Sequence, residues 1–234
     1  MSSEWKRLTW IGATLALASV GPLIFPAAQA GYSNMEALST RLLIPAVVLL
    51  AGIAVWTWRR APLVARSIVW GTLAGTVATL ALEAVRLPGY RFGFMPGNLP
   101  RLMGVLLLDR FALGPSIASD LAGWAYHFSN GASFGILYIL LLGTERRWPG
   151  ALFGVFLGLG FMVSPVVISL GVGYFGLQFS LGFPATVLLA HLAFGTALGY
   201  LATRLAGPAP SPVLSTARRL LASSPAPSRH TTAV

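Results

Sequence analysis

Two histidines stand at the head of one repeated pattern. His127, Gly131 and Gly135 (HFSNGASFG) and His191, Gly195 and Gly199 (HLAFGTALG) both read His-x3-Gly-x3-Gly inside long apolar runs. Positions i, i+4 and i+8 of a helix lie nearly above one another, so each segment presents one smooth stripe with an imidazole at its end. An ionisable side chain at membrane depth is costly without a partner and marks a functional site by default. A third such group, Glu83, closes the ladder Gly71, Gly75, Thr79, Glu83.

Several chemistries suit this set. Neutral imidazole binds metals and haem. His127 and His191 are therefore candidate ligands of a haem b, with glycines leaving room for a flat macrocycle. Glu83, His127 and His191 are the alternative set for a divalent metal. The same three residues would serve a transporter or channel as a proton or ion relay. In a scaffold without ligand the histidines would be interhelical glue, worth about 0.6–2 kcal/mol each. Glu83 also has Arg86 at i+3, the spacing of a helical ion pair. Arg86, Arg91, Arg101 and Arg110 form a second candidate site, for an anion, a lipid headgroup or haem propionates. The plainer account is that a long loop tolerates them and that Asp109 pairs locally with one.

The elements that must position these groups are apolar. Of 234 residues, 56% are hydrophobic and 9% charged, against about 25% charged in soluble domains. Mean hydropathy is +0.75. Lipid is therefore the main solvent and the bilayer the main partner. The net charge of +10 does not indicate nucleic acid, because the arginines punctuate apolar runs instead of lining one basic face. Cysteine is absent, which excludes disulfides and thiolate metal sites. No Gly-x-Ser-x-Gly, HExxH or P-loop motif occurs, so a hydrolase is the least favoured class.

The chain reads as an all-α, polytopic membrane protein. Residues 1–30 predict a first transmembrane helix or a signal peptide, since a basic head and an apolar run precede Ala28-Gln29-Ala30. Residues 31–65 give a loop and a second helix. Residues 66–205 predict a four-helix core, a degenerate direct repeat of two hairpins, with helices 1 and 2 at its side. Proline and glycine in an outer loop over 86–116 break any spanning helix there, leaving a short amphipathic helix over 99–111. Pro165 predicts a kink within a helix over 149–172. Residues 206–234 predict a disordered basic tail. Rises of about 1.5 Å per residue place His127 about 16 Å, His191 about 13 Å and Glu83 about 6 Å from the same face, with Asn130 and Ser164 within that layer. The glycines of both stripes are predicted at helix contacts.

Eleven of the 16 basic residues fall on one side of this arrangement, which the positive-inside rule makes cytoplasmic. The expectation is a bacterial inner-membrane protein with a cytoplasmic C-terminus. A carrier of so few helices would have to act as a homo-oligomer.

GTLAGTVAT at 71–79, MPGNLPRLMG at 95–104, HFSNGASFGILY at 127–138 and HLAFGTALG at 191–199 resemble a family of small bacterial four-helix membrane proteins known only as a domain of unknown function. The likeness covers about residues 66–205. It implies the four-helix core and carries no catalytic residue or activity.

Overall fold

A computed structural model describes residues 3–222. All regular structure in them is helical: α1 (Ser3–Gln29), α2 (Met35–Leu38), α3 (Ile44–Arg60), α4 (Pro62–Arg91), α5 (Leu99–Leu107), α6 (Ile117–Leu142), α7 (Pro149–Met162), α8 (Pro165–Ser169), α9 (Gly182–Ala206) and α10 (Pro212–Ala222). A π-turn over Ser39–Leu43 joins α2 to α3. Six helical segments among the described residues are long and apolar enough to cross a membrane, so this is a multi-pass membrane protein. Val48 and Phe156, 64% and 71% exposed, are of the apolar kind that faces lipid.

Local signals set the helix ends. Ser116 caps α6 by accepting from the Ser119 amide, while Ser119 Oγ accepts from the Ser116 amide at 2.7 Å. Gly143 and Gly207, at φ 75° and 76°, end α6 and α9 in a conformation that a side chain would strain. Pro62 opens α4, where its missing N–H costs nothing.

Three boundaries differ from expectation. Pro88 and Gly89 do not end α4, which continues to Arg91. Its 30 residues span about 45 Å, more than the hydrocarbon core, and the carbonyl that Pro88 leaves free belongs to exposed Ala84. The expected helix over 149–172 is not kinked but interrupted: α7 stops at Met162 and Pro165 starts the short α8. The tail is not wholly disordered, because residues 212–222 form α10. Ser211 Oγ donates to the Leu140 carbonyl at 2.9 Å, and Arg219 Nε meets Glu4 Oε2 at 3.0 Å. Residues 223–234 lie outside the described part.

Helix α4 is the centre of the packing. It lies along α6 on one side and α9 on the other; α7 covers α9, while α5 and α1 cover α6. Helix α6 touches α7 and α9 only marginally. The order is therefore a curved row, α7–α9–α4–α6–α1, whose ends approach where α1 touches α8, with α3 against α4 and α1. Helix α1 is not a peripheral addition: Tyr126 Oη donates to the Gly21 carbonyl at 2.7 Å, and Ile11 and Ala18 are fully buried with Ile136 and Leu140 of α6.

Glycine makes the closest contacts. A Cβ on Gly71 or Gly75 would strike the backbone at Gly135–Ile136 or Gly131, and one on Gly150 or Gly154 the backbone at Gly195, Gly199 or His191. Both glycine stripes thus sit where backbones meet. A third such contact joins Gly104 of α5 to Ser119 and Gly123 of α6, which fixes α5 on the bundle.

Candidate functional site

At the level of His127, the helix facing it across the α4–α6 contact offers Glu83. His127 Nε2 lies 2.8 Å from Glu83 Oε1. Arg86, one turn on from Glu83, closes on the same carboxylate with both arms of its fork, Nε to Oε1 at 2.7 Å and Nη2 to Oε2 at 2.6 Å. Glu83 thus holds the expected Arg86 and, in addition, His127. Glu83 and Arg86 are 5% and 4% exposed, so this is a buried ion pair whose charges cancel locally. Arg86 Nη2 also reaches Asn98 Oδ1 at 3.4 Å, and the Trp124 ring lies 5.9 Å from its guanidinium.

His191 has a different partner. Its Nδ1 lies 2.8 Å from the Val187 carbonyl one turn back on α9, and its ring stacks on Phe161 of α7 at 6.0 Å and 25°. The facing residue on α7 is Gly158, where a Cβ would press on the imidazole.

For neutral rings these contacts set the tautomers. A carbonyl oxygen only accepts, so His191 carries its proton on Nδ1 and leaves Nε2 as a free lone pair. A carboxylate already accepting from a guanidinium also accepts, so His127 carries a proton on Nε2. In the neutral ring Nδ1 is then its free lone pair.

Both imidazoles line one cavity of about 310 Å³ in the half of the bundle nearest α5. Thr79, Leu82 and Arg86 of α4 line one wall; His127 and Asn130 come from α6, Phe161 from α7, Ala190 and His191 from α9, and Phe25 and Pro26 from α1. Three lining residues carry buried polar atoms without a hydrogen-bond partner: Arg86 Nη1, Asn130 Oδ1 and Ser164 Oγ. Buried polar atoms are rarely left unpaired. Ser164 stands in the interruption between α7 and α8, and non-helical backbone at membrane depth is tolerated where it lines a cavity. Two other lining residues, Leu23 of α1 and Phe156 of α7, are 60% and 71% exposed, so the cavity opens sideways to the apolar outer face between α1 and α7.

No family model, curated protein or solved structure matches this chain.

Not every candidate belongs to this site. Among the described residues no group of three or more His, Cys, Asp or Glu side chains is placed to hold a metal ion, so Glu83, His127 and His191 do not form a ligand cluster. Glu83 is instead saturated by Arg86 and His127. The four arginines also separate. Arg86 faces the cavity, Arg91 is exposed, and Arg101 pairs across the surface with Asp120 at 3.2 Å, taking the role expected of Asp109. Arg110 is half-buried with its Nε unpartnered. The α1 wall was not foreseen. Its signal was Pro22 and Pro26 inside an apolar helix, which a signal-peptide reading takes only as the approach to a cleavage site.

Proposed function

We propose that this protein is a membrane-embedded binding protein that takes a small lipid-soluble molecule from the bilayer into the cavity between α1, α4, α6, α7 and α9. One observation carries the reading: a single apolar cavity, open toward lipid, is lined by three residues with unpartnered buried polar atoms and by two imidazoles. Pockets of about 300 Å³ and above, mostly apolar with few polar groups, are the usual form of small-molecule sites. The closed glycine contacts below His127 and His191 support binding over conduction, since Gly75–Gly131 and Gly154–Gly195 leave backbone against backbone on the way to the opposite face.

A haem or metal is the second reading. It is favoured by the way each imidazole donates its N–H to a carboxylate or a carbonyl, as metal-bound histidines do. The volume favours a smaller guest. The cavity is about twice the ~150 Å³ that holds benzene, and a tetrapyrrole has several times benzene's atoms. An absorption spectrum with metal analysis on the purified protein separates the readings: a Soret band or stoichiometric metal establishes the second.

The arginine bias supports an inner-membrane protein whose α10 end is cytoplasmic. A reporter fused after Val234 is expected to be active only in the cytoplasmic sense. The likeness of residues 66–205 to uncharacterised bacterial membrane proteins belongs to the same proposal and assigns no activity.

Gly160 provides the test of binding. It lines the cavity at an exposed position, and a Cβ there meets no atom within 4 Å, so Gly160→Trp adds bulk at the cavity's open side without forcing the backbone. Organic extraction and mass spectrometry of the native protein are expected to yield a stoichiometric lipid-soluble compound that Gly160→Trp loses while remaining folded. Equal recovery from both proteins, or none from either, contradicts the proposal.

A further inference from the structure

We infer that the ligand's head is an uncharged hydroxylated aromatic ring, of the alkylated phenol or hydroquinone class, held by the two free imidazole nitrogens. This rests on the cavity being the binding site proposed above and names its substrate class.

The hydrogen-bond inventory comes first. With both imidazoles neutral, the residues around the cavity leave His127 Nδ1, His191 Nε2 and Asn130 Oδ1 as acceptors, Arg86 Nη1 as a donor, and Ser164 Oγ as either. A head that satisfies them must donate protons to imidazole nitrogen and also accept from a guanidinium N–H. A hydroxyl does both. A ketone or an ether accepts only and leaves the three acceptors unpaired; a carboxylate or phosphate accepts only and brings a charge.

Charge balance gives the same answer. With His127 neutral, Arg86 is the one cation that meets the cavity among the described residues, and Glu83 already neutralises it through two hydrogen bonds. An anionic head would enter an apolar space with no uncompensated positive charge to meet it. A cationic head would find Glu83 already occupied.

Shape supplies the ring. Five phenylalanines line the space, and Phe134 and Phe194 already meet edge to face at 6.4 Å, as Phe161 and His191 meet in a stack. Aromatic walls favour a flat guest in offset or edge contact. About 310 Å³ accommodates one substituted ring, and an alkyl chain would leave through the gap between Leu23 and Phe156 into lipid.

The test is calorimetry on the full chain in nanodiscs, with decylhydroquinone kept reduced, its dimethyl ether, and 4-decylbenzoate as probes. Decylhydroquinone is expected to bind at least about tenfold more tightly than either analogue, because the ether and the acid leave imidazole lone pairs buried and unpaired. His191→Phe, which keeps a ring in place and removes the acceptor, is expected to abolish most of that preference. Gly160→Trp is expected to abolish binding of all three. Equal binding of hydroquinone and ether would overturn the hydroxyl assignment and leave the lipid-facing cavity standing. Tighter binding of the benzoate would overturn the neutral head. Failure of all three to bind overturns this assignment; if extraction also yields no compound, the binding proposal falls with it. Binding that survives Gly160→Trp places the ligand elsewhere and overturns both.

Discussion

His127 and His191 occupy equivalent places on α6 and α9, one turn from a glycine that meets a neighbouring helix. What differs is the neighbour. On α4 the ladder Gly71, Gly75, Thr79 reaches Glu83 at the level of the imidazole, and Arg86 completes an ion pair there. On α7 the ladder Gly150, Gly154 reaches Gly158, and the imidazole turns back to its own helix at the Val187 carbonyl. One half of the site is thus anchored by charge and the other by close packing. The free nitrogen also differs, Nδ1 on His127 and Nε2 on His191. The same sequence motif offers one cavity two lone pairs through different supports.

The largest expected effect lies in the charged half. Glu83→Ala leaves the Arg86 guanidinium buried and alone, and removing one partner of a buried pair costs about 3–5 kcal/mol. Thermal unfolding in detergent measures it. Replacing both partners, Glu83→Gln with Arg86→Met, is expected to restore much of the loss. A Glu83→Ala variant no less stable than His191→Ala would break the contrast between the halves.

Next come the glycine contacts. Gly195→Ala meets only backbone, at Gly150 and Gly154, and overpacking of that kind costs about 1–3 kcal/mol. Gly131→Ala first meets the Thr79 hydroxyl, a side chain that can be removed. Thr79→Ala is therefore expected to recover part of the Gly131→Ala loss, whereas the Gly195→Ala loss has no equivalent remedy. Stabilities of the four variants decide it, and full additivity of Gly131→Ala with Thr79→Ala would contradict the packing described.

The histidines themselves differ, and the smallest effect of all is expected at His191. His127→Ala removes one hydrogen bond to a carboxylate, worth about 1.5–3 kcal/mol, while Arg86 continues to hold Glu83. His191→Ala removes a bond within its own helix and is expected to cost nearer 0.6 kcal/mol. Equal losses would mean that Glu83 gives His127 no special support.

The sequence made the glycine interfaces legible, because four-residue spacing in apolar runs has one geometric meaning. Glu83 with Arg86 was readable for the same reason, at i+3. The depth of Glu83 was not legible: an end near Leu87 puts it about 10 Å shallower than His127, but α4 runs on to Arg91 and the two side chains meet at 2.8 Å. Pairing Glu83 with His127 needed the α4–α6 register, which pattern alone leaves free. The fate of His191 was hidden because its partner is a main-chain carbonyl. Helix α10 was missed because composition averaged over Pro, Ala, Ser and Arg masks a single buried stripe at Pro212 and Thr216. A bend and the interruption before Ser164 look alike in sequence, because proline marks a break without stating its size.

The central claim is that two imidazoles of opposite tautomer face one cavity. Nitrogen-15 NMR of histidine-labelled protein in nanodiscs tests it most directly, with signals assigned through His127→Gln and His191→Gln. The account expects the proton on Nε2 of His127 and on Nδ1 of His191, and expects decylhydroquinone to shift the free nitrogen of both rings together. The same tautomer in both rings, or a ligand that moves only one of them, would contradict it.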